Sequence, residues 1–175
     1  ISCHLGCMPI SLWKNKCTFG QLGNCALNPH AGHEAQWDKI PAPAVKKEIA
    51  VIGAGIAGLE FALRATERGH NVTVYEKGKR IGGIFNEAAA FTFKEKDKEL
   101  LAYYKRQIEK NNIKVCFETE IKDIYDIKAD EYVIATGSMG PNRLHILGSE
   151  RFITAQDYIA SGCEEGENIV IIGGG

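Results

Sequence analysis

One short glycine pattern constrains the fold of this chain more than any other part of its sequence. Residues 48–62 read Glu-Ile-Ala-Val-Ile-Gly-Ala-Gly-Ile-Ala-Gly-Leu-Glu-Phe-Ala, which predicts an apolar strand, a glycine turn and the start of a helix. Gly53 would allow the tight turn, Gly55 would let the backbone approach a pyrophosphate, and Gly58 would let the helix pack on the strand. The pattern therefore predicts a Rossmann-like unit that binds a dinucleotide.

An acidic residue follows the glycine pattern at the distance that dinucleotide sites require. Residues 71–76 read as a second strand that ends in Glu76, about twenty residues after the turn. A carboxylate at this position could accept hydrogen bonds from the ribose of an adenosine. The N-terminus of the intervening helix would face the phosphates with free N–H groups and a positive dipole. Lys77 begins a basic, glycine-rich loop that could help to neutralise the pyrophosphate.

The rest of the chain alternates strand and helix patterns, which is typical of a mainly parallel sheet. Helices are predicted at residues 56–68, 97–111 and 152–160. Strands are predicted at residues 48–53, 71–76, 114–118, 131–137 and 168–172. The fold class is therefore α/β, with a Rossmann-like domain that follows an irregular, cysteine-rich segment.

The size and charge of the chain place bounds on its class. With 175 residues it has room for one domain or slightly more. Its net charge of -1 gives no sign of a nucleic-acid partner. The sequence has no apolar run long enough to span a membrane and no signal-peptide pattern. These features predict a cytoplasmic protein that binds neither nucleic acid nor membrane.

Both ends of the chain predict that it is a piece of a longer protein. It begins Ile-Ser-Cys, without an initiator Met. It ends Ile169-Val-Ile-Ile-Gly-Gly-Gly175, which predicts a strand that opens a second glycine loop. Gly173 and Gly175 would be the first glycines of that loop.

Two further motifs and the second glycine loop favour FAD as the dinucleotide. Gly82-Gly83 follows Glu76 after a short loop, so its backbone could lie against the rest of the cofactor without a side-chain clash. Ala135-Thr136-Gly137 ends an apolar strand far downstream of the first loop. In this order, the motifs of residues 47–175 resemble the two-domain flavoproteins of the pyridine nucleotide-disulfide oxidoreductase type.

That resemblance assigns a role to each motif. It implies that the first glycine loop and Glu76 bind the ADP half of FAD. It implies that Gly82-Gly83 lies along the pyrophosphate and flavin, and that Ala135-Thr136-Gly137 touches FAD. The second loop, with Gly173 and Gly175, would bind NADH or NADPH.

The cysteines are concentrated at the beginning of the chain. Four of the six fall within the first 25 residues: Cys3, Cys7, Cys17 and Cys25. In a chain of this kind, clustered cysteines indicate metal or redox chemistry more often than a disulfide framework. A zinc site with His4, His30 or His33 and plain thiols without metal are the alternatives.

The cysteine segment resembles that of a family of iron–sulfur flavoenzymes. Cys3 and Cys7 form a Cys-x3-Cys pair, and Cys25 precedes Asn28-Pro29, ahead of the glycine turn. This order resembles the 2,4-dienoyl-CoA reductase, enoate reductase and trimethylamine dehydrogenase family. The resemblance implies a preceding FMN-bearing barrel and a [4Fe–4S] cluster with Cys3, Cys7 and Cys25 as ligands. Cys25 would be the fourth ligand of the cluster. The interval from Cys7 to Cys25 is longer than in the family, and it contains Cys17, the runner-up to Cys25.

The resemblance implies an NAD(P)H-dependent oxidoreductase. Electrons would pass between NAD(P)H, FAD, the cluster and FMN to reduce an enoate or enoyl-CoA, a small-molecule substrate bound by the barrel. No catalytic residue is therefore expected in this chain, and a homo-oligomer is compatible with its sequence. The predicted segments are the cysteine segment (1–36), a linker (37–46), the FAD domain (47–166) and the start of the NAD(P)H domain (167–175).

Two other functions fit the same motifs. The first is a simpler FAD and NAD(P)H reductase of the thioredoxin-reductase or glutamate-synthase-small-subunit kind, in which the cysteines serve another purpose. The second is a nucleotide-binding or redox-sensing module without catalytic activity.

Overall fold

A parallel sheet organises the part of the chain that the structure describes. The structure is a computed structural model, and it describes residues 34–37, 40–138, 140, 146–162 and 168–173. The strands are β1 (Glu48–Ile52), β2 (Asn71–Tyr75), β3 (Lys114–Cys116) and β4 (Glu131–Ile134). They are all parallel and lie in the order β3-β2-β1-β4. The predicted α/β class and mainly parallel sheet are confirmed.

Helices connect and cover these strands. They are α1 (Glu34–Trp37), α2 (Ile56–Glu67), α3 (Phe85–Ala88), α4 (Glu95–Lys110) and α5 (Ala155–Ala160). The long helix α2 links β1 to β2 as a crossover between parallel neighbours, and α4 precedes β3. The glycine turn therefore lies at the carboxyl edge of the sheet, where the chain passes from β1 into α2.

The core lies between the sheet and helices α2 and α4. Leu59 of α2, Val51 of β1 and Val74 of β2 are 0% exposed. Tyr104 and Ile108 of α4 belong to the same apolar cluster. The strand β1 is apolar along almost its whole length, and all its residues after Glu48 are buried, as in a parallel sheet that is covered on both faces. Burial of this cluster fixes both ends of the turn that joins β1 to α2.

Four of the five predicted strands are present, and each ends one to three residues before its predicted end. Left-handed backbone at Gly53 and Glu118 turns the chain out of the sheet after β1 and β3. The predicted helix at 152–160 begins only at Ala155. The Thr154 side chain accepts a hydrogen bond from the Asp157 N–H and so sets that N-terminus.

The predicted strand at residues 168–172 is wrong for this structure. Residues 168–173 carry no regular secondary structure and lie outside the described sheet. Ile169, Val170, Ile171 and Ile172 are between 55% and 87% exposed. A strand needs hydrogen bonds from a neighbouring strand, and within the described residues this segment pairs with none.

A hydrogen bond joins the two long helices at the edge of the core. The Tyr104 hydroxyl of α4 donates to Oε2 of Glu60 in α2 over 3.1 Å. Arg64 donates to the other Glu60 oxygen over 2.7 Å, so the carboxylate is held on both sides. Burial of the ring and the nearby Glu60 charge raise the pKa of Tyr104 above its ordinary value. The neutral phenol is therefore the form that the fold stabilises.

The substitution Tyr104→Phe tests this contact. Loss of the hydrogen bond should lower the free energy of unfolding by about 1 kcal/mol at neutral pH. Because the native pKa is raised, the wild-type protein should lose stability as pH rises above the unfolded tyrosine pKa of about 10. The variant should lack that part of the alkaline loss, as measured by urea denaturation across pH.

Tyr103→Phe is the matched control, because Tyr103 is the neighbouring ring in an edge-on contact with Tyr104. It should retain the alkaline loss of the wild type. Equal stability of all three proteins at every pH would show that the Tyr104–Glu60 contact contributes nothing.

Candidate functional site

The glycine turn between β1 and α2 is the centre of the candidate site. The Gly53 N–H donates to the Tyr75 carbonyl of β2 over 2.8 Å, and the residue has φ +106. A Cβ on Gly53 would overlap the carbonyl oxygen of Ala135, just beyond β4. The Ala135 N–H itself donates to the Ile52 carbonyl over 2.8 Å. Three strand ends therefore meet at Gly53, and only glycine has the shape and the backbone freedom for this position.

Gly58 lets helix α2 begin close to the same turn. It is buried in the first turn of the helix, and a Cβ there would overlap the Gly53 carbonyl oxygen. The same Cβ would come within 3.3 Å of the Ala135 side chain. The start of α2 is thus aimed at the carboxyl edge of the sheet by backbone-to-backbone contact.

Gly55 has an open surrounding, in contrast to its two neighbours in the pattern. It is the N-cap of α2, and a Cβ on it would have nothing within 4 Å. No side chain within the described residues caps this helix. The space on the Cβ side of Gly55 is therefore open, and the positive end of the helix dipole lies beside it. This is the geometry of an anion site at a helix N-terminus.

Glu76 joins the glycine turn to the loop after β2. Its Oε2 accepts the Ala54 N–H over 2.8 Å, and its Oε1 accepts the Gly78 N–H over 2.7 Å. An ionised carboxylate can accept about four hydrogen bonds, so each oxygen keeps room for another donor. The carboxylate is thereby oriented beside the turn. The ribose contact expected of Glu76 stays a prediction.

The Gly82-Gly83 pair lies directly against the turn. The Gly82 N–H donates to the Ala54 carbonyl over 2.7 Å, and Gly82 forms an isolated parallel bridge with Gly55. Both glycines have positive φ, +105 and +53. A Cβ on Gly83 would lie 3.3 Å from the Gly55 Cα. The pair therefore extends the side-chain-free surface that begins at Gly55.

The other predicted site residues lie farther out. Lys77 is exposed, as are Thr136 and Gly137, which leave the sheet after Ala135. In the basic loop, the Lys79 Nζ lies 3.7 Å from the Glu118 Oε1. The Arg80 Nη2 lies 2.7 Å from the Glu87 Oε1. Part of the positive charge of that loop is therefore already paired with acids.

Of the remaining predicted residues, the structure describes Gly173 alone. Gly173 has φ +95 but belongs to the exposed segment outside the sheet. Gly175 and the candidate cluster ligands lie outside the described residues, and so does the runner-up: Cys3, Cys7, Cys25 and Cys17. Within the described ranges, no group of three His, Cys, Asp or Glu side chains could hold a metal ion. In the same ranges, no helix is both long and apolar enough to cross a membrane.

The structure adds residues that the sequence reasoning missed. Ala54 contributes both its N–H and its carbonyl to the site, through Glu76 and Gly82. Asn86, in the short helix α3, donates from its side chain to two carbonyls around the glycine pair. Asn side chains commonly hydrogen-bond to the backbone of turns, so an Asn three residues after Gly83 was a weak general signal.

These features together fit a dinucleotide. A cradle without side chains at Gly55 and Gly83, an uncapped helix N-terminus and an oriented carboxylate match a pyrophosphate flanked by a ribose. Comparisons with known proteins also indicate a dinucleotide-binding domain.

The sequence matches the family described as pyridine nucleotide-disulphide oxidoreductase over residues 47–175, with a further match over 26–127. The chain belongs to this family. Membership implies FAD and NAD(P)H as the cofactors of the domain. The family resemblance drawn from the glycine motifs is confirmed.

Individual relatives agree with this membership. Cinnamate reductase of Clostridium sporogenes is 32% identical, over 100% of this chain and 25% of its own length. NADH oxidase of Thermoanaerobacter brockii is 32% identical, over 100% of this chain and 27% of its own length. A solved complex of 2-naphthoyl-CoA reductase with 2-naphthoyl-CoA aligns with a TM-score of 0.72 and 34% identity, over 82% of this chain and 22% of that one. The chain spans about a quarter of the length of these relatives.

Two alanine substitutions should separate the structural glycine from the binding glycine. Gly58→Ala should cost about 3 kcal/mol or more of unfolding free energy, because its Cβ overlaps the turn backbone. Gly55→Ala should cost about 1 kcal/mol or less, since φ -71 suits alanine and the position is open. The same variant should raise the Kd for FAD about tenfold or more, because the methyl group enters the space of the pyrophosphate.

Urea denaturation and flavin fluorescence titration supply the two measurements. If Gly55→Ala bound FAD as tightly as the wild type, the pyrophosphate would not lie against Gly55.

Proposed function

We propose that this chain is the FAD-holding part of an NAD(P)H-dependent oxidoreductase. The observation that carries the proposal is the open N-terminus of α2 at Gly55, flanked by the oriented Glu76 carboxylate and by Gly83. The family membership supports FAD as the occupant, because a bare glycine turn would also suit other dinucleotides.

Each part of the site has a task in binding. The N–H groups at the start of α2 would donate to the pyrophosphate, whose charge the helix dipole also stabilises. Glu76 would accept hydrogen bonds from the ribose hydroxyls with its remaining lone pairs. Gly55 and Gly83 would let the cofactor approach the backbone, which excludes water from the phosphate contacts.

The chemistry of the bound group belongs to the cofactor. When bound, FAD supplies two kinds of redox chemistry: acceptance of a hydride from NADH or NADPH, and release of electrons one at a time. The described residues of this chain position it.

We further propose that the full polypeptide uses a [4Fe–4S] cluster and FMN to deliver these electrons to an enoate or enoyl-CoA. Cys3, Cys7 and Cys25 would supply cluster ligands, with Cys17 as the alternative to Cys25. Relatives named cinnamate reductase and 2-naphthoyl-CoA reductase support an unsaturated acid or thioester as substrate. The full-chain alignment to cinnamate reductase includes the cysteine segment, which favours this assignment over a simpler reductase or a non-catalytic module.

Reduction of the flavin under anaerobic conditions tests the first proposal. The full polypeptide, loaded with FAD, should lose its oxidised-flavin absorbance when NADH or NADPH is added. Addition of cinnamate or an enoyl thioester should restore that absorbance, whereas the saturated analogue should not. A protein with bound FAD that neither nucleotide reduces would contradict the proposal.

Cysteine substitutions test the cluster. The full polypeptide, isolated without oxygen, should contain about four iron atoms per chain. Cys25→Ser should lower this iron content sharply, and Cys17→Ser should leave it unchanged. The reverse result would make Cys17 the ligand, and a protein that contains only zinc or no metal would contradict the cluster.

A further inference from the structure

The Gly82-Gly83 turn needs support beyond its contact with the glycine turn of β1 and α2. Both residues are in the left-handed region, where the backbone is easily displaced because no side chain restricts it. On the side of the candidate site, the Gly82 N–H donates to the Ala54 carbonyl and Gly82 bridges Gly55. On the side of α3, the N–H groups of Phe85 and Asn86 donate to the Gly82 and Gly83 carbonyls over 3.1 and 3.2 Å. Side-chain contacts from α3 add to these backbone hydrogen bonds.

Asn86 provides that support from the first turn of α3. Its Nδ2 donates to the Ile81 carbonyl over 2.8 Å and to the Gly83 carbonyl over 2.9 Å. These two carbonyls stand immediately before and at the end of the glycine pair. One amide group thus bridges the two ends of the turn, in addition to the backbone hydrogen bonds.

Packing places Asn86 on the side of the turn away from Gly55. A Cβ on Gly82 would lie 2.7 Å from the Asn86 Nδ2 and 2.6 Å from Leu101 Cδ2 of α4. A Cβ on Gly83 would instead point at the Gly55 Cα, 3.3 Å away. The glycine pair is therefore held between Asn86 and Leu101 on one side and the dinucleotide turn on the other.

The chemistry of this contact is specific to an amide. Both partners are carbonyl oxygens, which only accept hydrogen bonds, so the NH2 group of Asn86 must face them. A carboxylate of the same shape would face the two carbonyls with oxygen atoms and repel them. A protonated carboxyl could donate one of the two hydrogen bonds.

We propose that Asn86 is a positioning residue that sets the Gly82-Gly83 turn against Gly55 and thereby defines one wall of the dinucleotide cleft. The role in cofactor binding depends on the proposed function. The role in holding the turn does not, so the two can fail separately.

The test compares Asn86→Asp and Asn86→Ala with a matched control in the full polypeptide. The control is Asn111→Asp, because the Asn111 Nδ2 donates to the Gln107 carbonyl at the end of α4, away from the glycine turn. It makes the same chemical change and also weakens a helix end. The measurements are the Kd for FAD across pH and the hydrogen exchange of the Gly82 amide in the flavin-free protein.

The expected result has three parts. Asn86→Asp raises the Kd for FAD about tenfold or more relative to Asn111→Asp at neutral pH. Its affinity recovers in part as the introduced carboxyl becomes protonated at acidic pH, whereas Asn86→Ala shows no such recovery. The Gly82 amide exchanges faster in both Asn86 variants than in the control.

Two results would overturn the inference. The first is a Kd and a Gly82 exchange rate in Asn86→Asp equal to those of Asn111→Asp. The second applies if the wild-type polypeptide binds no FAD, an outcome that refutes the proposed function. The Gly82 exchange rate then decides alone, and equal rates in Asn86→Asp and Asn111→Asp would overturn the positioning role.

Discussion

Close backbone contact at one point of the sheet edge controls the rest of this structure. Gly53, Gly58 and Ala135 bring the ends of β1, α2 and β4 together at a spacing that admits no side chain on either glycine. The apolar cluster beneath, with Leu59 against Val51, holds the two elements in that approach. Since the helix is fixed at its first turn, its N–H groups and positive dipole end are directed out of the sheet edge.

Polar contacts then convert this fixed edge into a shaped site. Glu76 accepts hydrogen bonds from the turn and from the following loop, so it is oriented before any ligand arrives. The Gly82-Gly83 pair adds a second stretch of bare backbone, which Asn86 holds in place. A site prepared in this way spends little binding energy on ordering its own groups, which favours tight binding of a ligand.

The sequence predicted those parts of the fold that depend on local patterns. The glycine spacing and apolar run around Gly53 specify strand, turn and helix because each position has a distinct steric requirement. The prediction of a strand at 168–172 was wrong because a strand needs a neighbouring strand for its hydrogen bonds, which an apolar run by itself does not supply. Asn86 was missed because its side chain donates to two backbone carbonyls, which come within reach of it only in the folded turn.

The proposed binding of FAD at the turn Gly53–Gly58 can be tested on the flavin itself. The full polypeptide is denatured, and mass spectrometry identifies each released flavin and compares its amount to the amount of protein. We expect FAD at close to one molecule per chain, whatever other flavin is present. Release of FMN alone, or of no flavin after incubation with FAD, would contradict FAD binding at this turn.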